Sequence, residues 1–303
     1  MTADSESMPT VRNGSRFLKK IWESGLGGKG SPQILKVKIN GVLCDQLNDV
    51  FGEEKTSALA ALKKIRAATR DDEIRGLYLV IDTPGGEVTL SDVLADAVQR
   101  FKKSKKDRFV LVEMGACCCS GGYYIAAGAD HIMAHPTTIT GSIGVIMETM
   151  NAAELAKKIG VESVVIATGT NKSMLDPLKP VDEEHVRILK KAVEADYDRF
   201  LEIVSKGRGI PLPVLRTIAD GRIFSAREAK EIKLVDAIGY SEDAENMLVK
   251  MSKAEKIKIV RYEDTFTFQD LFNGTFFSIE GMGRVLRSFS EPRSRLKLNF
   301  IAE

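Results

Sequence analysis

Two short stretches join glycine to groups that can attack or polarise a carbonyl: "GACCCSGGYY" at 115–124 and "DTPGGEV" at 82–88. The first places Ser120, Gly121 and Gly122 after three adjacent cysteines, Cys117–Cys119. A serine in a tight turn ahead of a helix is exposed, and the backbone amides after it point at the same space. Ser120 could therefore act as a nucleophile while the Gly121 amide stabilises an oxyanion. Gly86 or Gly85 of the second stretch could supply the other donor, because glycine lets a ligand approach the backbone unhindered. The plainer alternative makes both stretches ordinary strand-to-helix turns, with Ser120 an N-cap. Residue types alone leave both readings open.

A serine nucleophile needs a base, and histidine offers little. The chain has 3: His131 and His135 lie in or beside a strand pattern, and His185 starts a charged helix. "HIMAH" lacks the Glu or Cys spacing that would complete a zinc site, so no metal or other cofactor is expected. Lysine remains. A lysine base must be sheltered by apolar groups that lower its ordinary pKa of ~10.4 by roughly 3, which costs on the order of 4 kcal/mol. Lys172, in "ATGTNKSMLDPLKP", follows a strand pattern and has small and apolar neighbours. Composition does not separate it from Lys179.

Three consecutive thiols cannot converge on one metal without a distorted turn, and a thiol nucleophile at Cys119 would need its own base. Cys117–Cys119 are expected to pack as small apolar groups beneath the turn, with redox modulation beside Ser120 as the other reading. Tyr123 and Tyr124 are expected to serve packing more than the pocket.

The elements around these stretches follow an alternating pattern. "ILKVKING" from Ile34 reads as a strand, and "TSALAALKKIRAAT" as a helix with Ala58, Leu59, Leu62 and Ile65 on one stripe. "IRGLYLVIDTPGG" is an apolar run suited to a strand buried on both faces. "TLSDVLADAVQRFKKS" is an amphipathic helix, "RFVLVEMG" a second buried strand, and "YYIAAGAD" the next helix. "HIMA" and "ESVVIAT" read as further strands, residues 182–206 as a long helix and "PLPVLRTIAD" as a shorter one. Ser225 and Glu228 form a capping box. Strand–turn–helix repetition implies an α/β fold with a parallel sheet and crossover helices. In such sheets ligands bind beyond the carboxyl ends of the strands, which is where both glycine turns fall.

The 303 residues are 44% apolar and 28% charged with net charge +2, ordinary for a globular protein and no argument for nucleic-acid binding. Three of the 4 cysteines are adjacent, a poor disulfide framework, so a reducing compartment is expected, cytoplasm or an organelle matrix. No run reaches the ~20 apolar residues of a membrane span, and the acidic start is unlike a secretory signal. Residues 11–22, with Val11, Phe17, Leu18, Ile21 and Trp22 near helical spacing among basic residues, suggest a helix. It would pack on the body or a neighbouring subunit, touch a membrane surface, or belong to a transit segment. "GLGGKGSP" reads as a linker, dividing 1–33 from a domain at 34–250. A Phe-rich (Phe266, Phe268, Phe272, Phe276, Phe277) and basic extension follows at 251–303.

Residues 115–150 closely resemble the signature of the signal peptide peptidase A family, serine–lysine peptidases with a ClpP/crotonase-like fold. The resemblance runs from about Ile34 to Ile238 and includes "IDTPGGEV", "TGTNKSMLDP" and "GRIFSAREAKEIKLVDAIG". It implies that Ser120 is the nucleophile, Lys172 the general base and Ser142 the hydroxyl that orients the lysine. Gly121 with one Pro-Gly-Gly amide would hold the oxyanion of an acyl-enzyme pathway. Single-length members assemble as rings in which serine and lysine can come from adjacent protomers, so a homo-oligomer acting on peptides is expected. Bacterial members usually begin with a membrane anchor, a feature not expected here. Cys117–Cys119 replace the family's small residues, and Lys233 stands where glycine is usual. The rivals are a crotonase-like acyl-CoA enzyme, whose turn carboxylate could only be Glu87, and an inactive peptidase-fold scaffold associated with membranes.

Overall fold

The apolar runs become strands and the amphipathic runs become helices that cover them. The computed structural model describes residues 10–13, 16–25, 27, 28, 30–44 and 57–264. The Phe-rich and basic residues read near the C-terminus lie outside these. In chain order the elements are β1 (Thr10–Asn13), β2 (Arg16–Ser24), β3 (Gln33–Asn40), α1 (Ser57–Arg70), β4 (Ile74–Thr83) and α2 (Val88–Ser104). Next come β5 (Phe109–Cys119), α3 (Gly121–Ala126), β6 (His131–Ala134), β7 (Ile139–Gly141) and α4 (Ala153–Lys158). A 3₁₀ turn at Thr170–Ser173 leads to α5 (Glu183–Arg208) and α6 (Leu212–Arg216). The chain closes with β8 (Ile223–Ser225), α7 (Ala226–Glu231), β9 (Ala237–Ile238), α8 (Ser241–Ser252) and β10 (Lys258–Asp264).

Contacts group these into two units. One comprises Met1–Ile21, Asn48–Glu54 and Tyr262–Glu303, the other Trp22–Leu47 with Lys55–Arg261. Within the first, β1 pairs antiparallel with β2, Thr10 opposite Lys19 and Asn13 opposite Arg16. This overturns the helix expected over 11–22. The local period is two: Leu18 is buried, Lys19 exposed and Lys20 buried, which is a strand's alternation.

In the second unit a parallel ladder runs β10–β3–β4–β5–β6–β9. β7 continues beside the end of β5, and β8 pairs antiparallel with β7. β4 is buried on both faces, with Ile74, Leu77, Tyr78, Leu79 and Ile81 all enclosed. Each such side chain contributes roughly 1.5–3 kcal/mol of burial. α1 turns Ala58, Ala61, Leu62 and Ile65 inward, and α2 does the same with Leu90, Leu94, Val98 and Phe101. Arg108 gathers the end of α1 by donating to the carbonyls of Thr69, in its last turn, and Asp71, just beyond it. The Ser225–Glu228 capping box opens α7 as read from the sequence. The result is a mixed α/β fold, and no helix of the described residues is long and apolar enough to cross a membrane.

One expected strand is absent. Residues 161–167 carry no strand pairing, and Val164 and Ile166 are 80% and 98% exposed. The β-branched run has the composition of a strand but pairs with no strand among the described residues. Between Ile143 and Phe200 only Ala156 is buried.

Candidate active site

Three turns emerge together at the carboxyl ends of adjacent parallel strands. Thr83 of β4 is the register partner of Cys118 in β5, and Cys119 is the partner of Gly141 in β7. The residues that follow each strand are therefore neighbours: Gly85 and Gly86 after β4, Ser120 after β5, Ser142 after β7.

Ser120 sits at φ 49°, ψ −118°, a left-handed position rarely taken by a residue with a side chain. Such geometry costs of order 1–3 kcal/mol and persists only where surrounding contacts impose it. Two of those contacts are visible. The Ser120 amide donates to the Gly141 carbonyl at 2.9 Å, and the Tyr124 amide donates to the Ser120 carbonyl at 2.9 Å. Although Ser120 occupies the N-cap position of α3, its side chain makes no capping hydrogen bond. The hydroxyl is left for other work.

The β4 turn is pinned around the same point. Leu43 N donates to the Gly85 carbonyl at 2.8 Å, and Glu87 N to the Leu43 carbonyl at 2.7 Å. Gly85 N donates to Thr83 Oγ1 at 3.0 Å, which occupies that amide. Among the described residues neither the Gly86 nor the Gly121 N–H has an acceptor. Of the two donors open in the sequence, Gly86 is the one left unused. Gly85 serves the close approach of the turns instead. At its φ of +109°, a Cβ would lie 2.7 Å from Ser120 Cβ and 2.9 Å from the Gly121 nitrogen. Its hydrogen atom is what lets the two turns touch.

A cleft opens over these atoms. Gly86, Ser120 and Gly121 form one side, Val88, Val145 and Phe200 an apolar wall, and Tyr124 and Asp196 contribute further lining. A polar group flanked by two free amides and an apolar wall can attack a carbonyl and hold the charge that develops on its oxygen.

A family profile described as Peptidase family S49 matches residues 100–255. A protein of Enterococcus faecium, provisionally named signal peptide peptidase SppA, is 34% identical over 79% of this chain and 70% of its own length. A provisionally named protease of Methanocaldococcus jannaschii is 32% identical over 89% of this chain and 88% of its own. The chloroplastic serine protease SPPA of Arabidopsis thaliana is 29% identical over 93% of this chain and 42% of its own.

The chain belongs to peptidase family S49. Serine-type peptidase chemistry follows from that membership, and Ser120, Gly121 and Gly86 fall together as the sequence has them. Ser142 is next to them, at φ 50° with its amide held by the Arg222 carbonyl at 2.8 Å. Lys172 is not with them. It lies exposed in the 3₁₀ turn and does not line the cleft, whereas a lysine base is expected to be sheltered. Lys179 does not line the cleft either.

The remaining candidates fall away from the cleft. His131 is partly enclosed, its Nε2 has no hydrogen-bond partner among the described residues, and burial lowers its pKa. Glu87 is exposed and does not line the cleft. Among the described residues no three His, Cys, Asp or Glu side chains are grouped to hold a metal ion. Cys118 and Cys119 are buried, and the Thr140 hydroxyl donates to the Cys118 carbonyl at 2.6 Å. Burial pushes the Cys119 thiol up to about 12 and raises Cys118 as well. Both behave as packing groups with little thiolate to oxidise, while Cys117 is only partly covered.

Sequence reasoning misses Tyr124 and Phe200 as site residues. Tyr123 is packing alone, its hydroxyl donating to the Leu234 carbonyl at 2.8 Å, but Tyr124 lines the cleft. The available signal is spacing, since Tyr124 stands one helical turn after Ser120. Phe200 gives none, being one apolar residue among many on a long helix.

Proposed function

We propose that this chain is a serine endopeptidase with a ClpP/crotonase-like fold, and that its Ser–Lys dyad is completed between protomers of a homo-oligomer. Ser120 Oγ attacks the scissile carbonyl carbon while the Lys172 amine takes the hydroxyl proton. The Gly121 and Gly86 amides hold the oxyanion, and the Ser142 hydroxyl orients the lysine. Collapse of the intermediate breaks the C–N bond, and the proton on Lys172 passes to the leaving amine. Water then hydrolyses the acyl-enzyme by the same proton path in reverse. The apolar wall of Val88, Val145 and Phe200 favours apolar peptides, signal-peptide remnants among them.

The observation that carries this reading is the pairing of a strained, uncapped Ser120 with two unused amides. The intermolecular dyad is supported by the segment that bears Lys172. Ile146, Met150, Ile159 and Ile166 in that segment are 83%, 86%, 66% and 98% exposed, and apolar exposure on this scale marks an interaction surface. Seating the segment on a neighbouring copy would bury these side chains and give the lysine the dry setting a base requires.

Mixing two inactive variants tests both claims. Ser120→Ala and Lys172→Ala should each abolish cleavage of an apolar peptide while still assembling. Co-assembled, they should recover activity, because some sites then join an intact serine to a neighbour's intact lysine. Full activity in Lys172→Ala alone would sink the dyad. Silence of the mixture beside an active wild-type chain would place both groups in one protomer.

A further inference from the structure

Three helices that frame the cleft meet at a single carboxylate oxygen. Asp92 Oδ1, on α2, accepts from the Tyr124 hydroxyl at 2.6 Å. The same oxygen accepts from Arg199, with Nε at 3.3 Å and Nη2 at 3.2 Å. Tyr124 belongs to α3, and its ring lies 4.9 Å from that of Phe200, the neighbour of Arg199 on α5. α2 begins just after Gly86 and α3 begins at Gly121. α5 follows the exposed segment that carries Lys172.

We infer that Asp92 is a positioning residue: through Tyr124 it fixes the separation of the Gly86 and Gly121 amides, and through Arg199 it ties that separation to α5. The inference rests on the peptidase reading above and adds residues that the dyad itself does not name. Two donors serve an oxyanion only if both sit at hydrogen-bond distance from one point. The β4–β5 register and the Gly85–Ser120 contact set the two turns side by side, and a side-chain bridge between α2 and α3 adds a constraint on how the helices leave them. Asp92–Tyr124 is such a bridge, one turn inside each helix. Burial, then the Asp92 hydrogen bond, pushes the Tyr124 phenol up, so it stays a donor throughout the neutral range. Behind Tyr124 a second cavity of about 700 Å³ runs between α2 and α5. At its far end Gln99 and Lys102 of α2 both donate to the Gly128 carbonyl at 2.9 Å, beyond α3, so Asp92–Tyr124 is the polar brace on the cleft side.

The test uses the assembled full chain, with steady-state cleavage of an apolar peptide and the rate of Ser120 labelling by a fluorophosphonate. Tyr124→Phe keeps the ring against Phe200 and removes only the donor. It should lower kcat by about tenfold, less than the ~100-fold that follows loss of an oxyanion donor, and leave KM within about twofold. Labelling should slow by the same factor, since that reaction loads the same two amides. Asp92→Asn keeps an acceptor for the phenol and should retain most of the rate, whereas Asp92→Leu should not. The inference is overturned if Tyr124→Phe melts lower yet labels at the wild-type rate, if KM rises at constant kcat, or if Asp92→Asn is as damaging as Asp92→Leu. A wild-type chain that takes no label overturns the peptidase reading and this one together, so the two failures are distinct.

Discussion

Replacing Gly85 by alanine should separate the two turns that build the cleft. The added Cβ would stand 2.7 Å from Ser120 Cβ, 2.9 Å from the Gly121 nitrogen and 3.1 Å from the Cys119 carbonyl oxygen. Carbon atoms rest at ~3.5 Å or more, so the turns must part by roughly 0.8 Å. Misplacement of about 1 Å in a reacting group can cost about 100-fold in rate, and kcat should fall on that scale. The substitution also places a side chain at φ +109°, and that strain alone could be blamed for a loss. Gly209→Ala isolates it: Gly209 has φ +64° and open space where its Cβ would go, at the C-terminus of α5. An L-residue there pays only the left-handed penalty of ~1–2 kcal/mol. Both variants should melt lower, and only Gly85→Ala should lose kcat, measured per assembled chain on an apolar fluorogenic peptide. A Gly85→Ala enzyme that turns over like Gly209→Ala would refute the packing argument.

Ser142→Ala should reduce kcat by about tenfold, the equivalent of one hydrogen bond near 1.4 kcal/mol, with assembly by light scattering unchanged; an unaffected rate would remove Ser142 from the mechanism. Tyr123→Phe leaves the buried Leu234 carbonyl without its donor and should cost about 1–3 kcal/mol in denaturant unfolding, with activity per folded chain preserved. Cys118 and Cys119 should resist iodoacetamide at pH 8.5 in the native chain and react once it is unfolded. Because burial lifts the Cys119 thiol to about 12, only the unfolded state ionises as pH rises from the ordinary ~8.5. Its contribution to stability is thus constant below that value and is lost between there and about 12. Rapid native alkylation of Cys119 would contradict the burial argument.

What is legible in the sequence has a local cause. The β4 and β5 runs show their burial as largely apolar residues, and the glycine turns that end them put Ser120 and Gly86 together at the carboxyl ends of neighbouring strands. The Ser225–Glu228 box needs only three residues to be recognised. The misreadings share a different origin. Phe17, Leu18, Ile21 and Trp22 suit a helix by spacing, but Leu18, Lys19 and Lys20 alternate in and out as a strand. Val164, Val165 and Ile166 have strand composition, yet composition carries no information about whether a partner strand exists. Asp92 and Arg199 meet over more than a hundred residues of chain, beyond the reach of any periodicity. Lys172 is singled out by resemblance, and its distance from the cleft has no trace in its own neighbours.

Ser120 and Ser142 share one more property, a positive φ of 49° and 50° on adjacent strand ends. Glycine would occupy either position without strain, so a chain selected only to fold would place glycine at both. Ser120→Gly should therefore be inert and Ser142→Gly slowed by about tenfold, and both should melt higher than the parent, by roughly 1 kcal/mol at each site after the looser unfolded chain is allowed for. The strand ends that handle substrate thus carry backbone strain that a scaffold without a reaction to perform would shed.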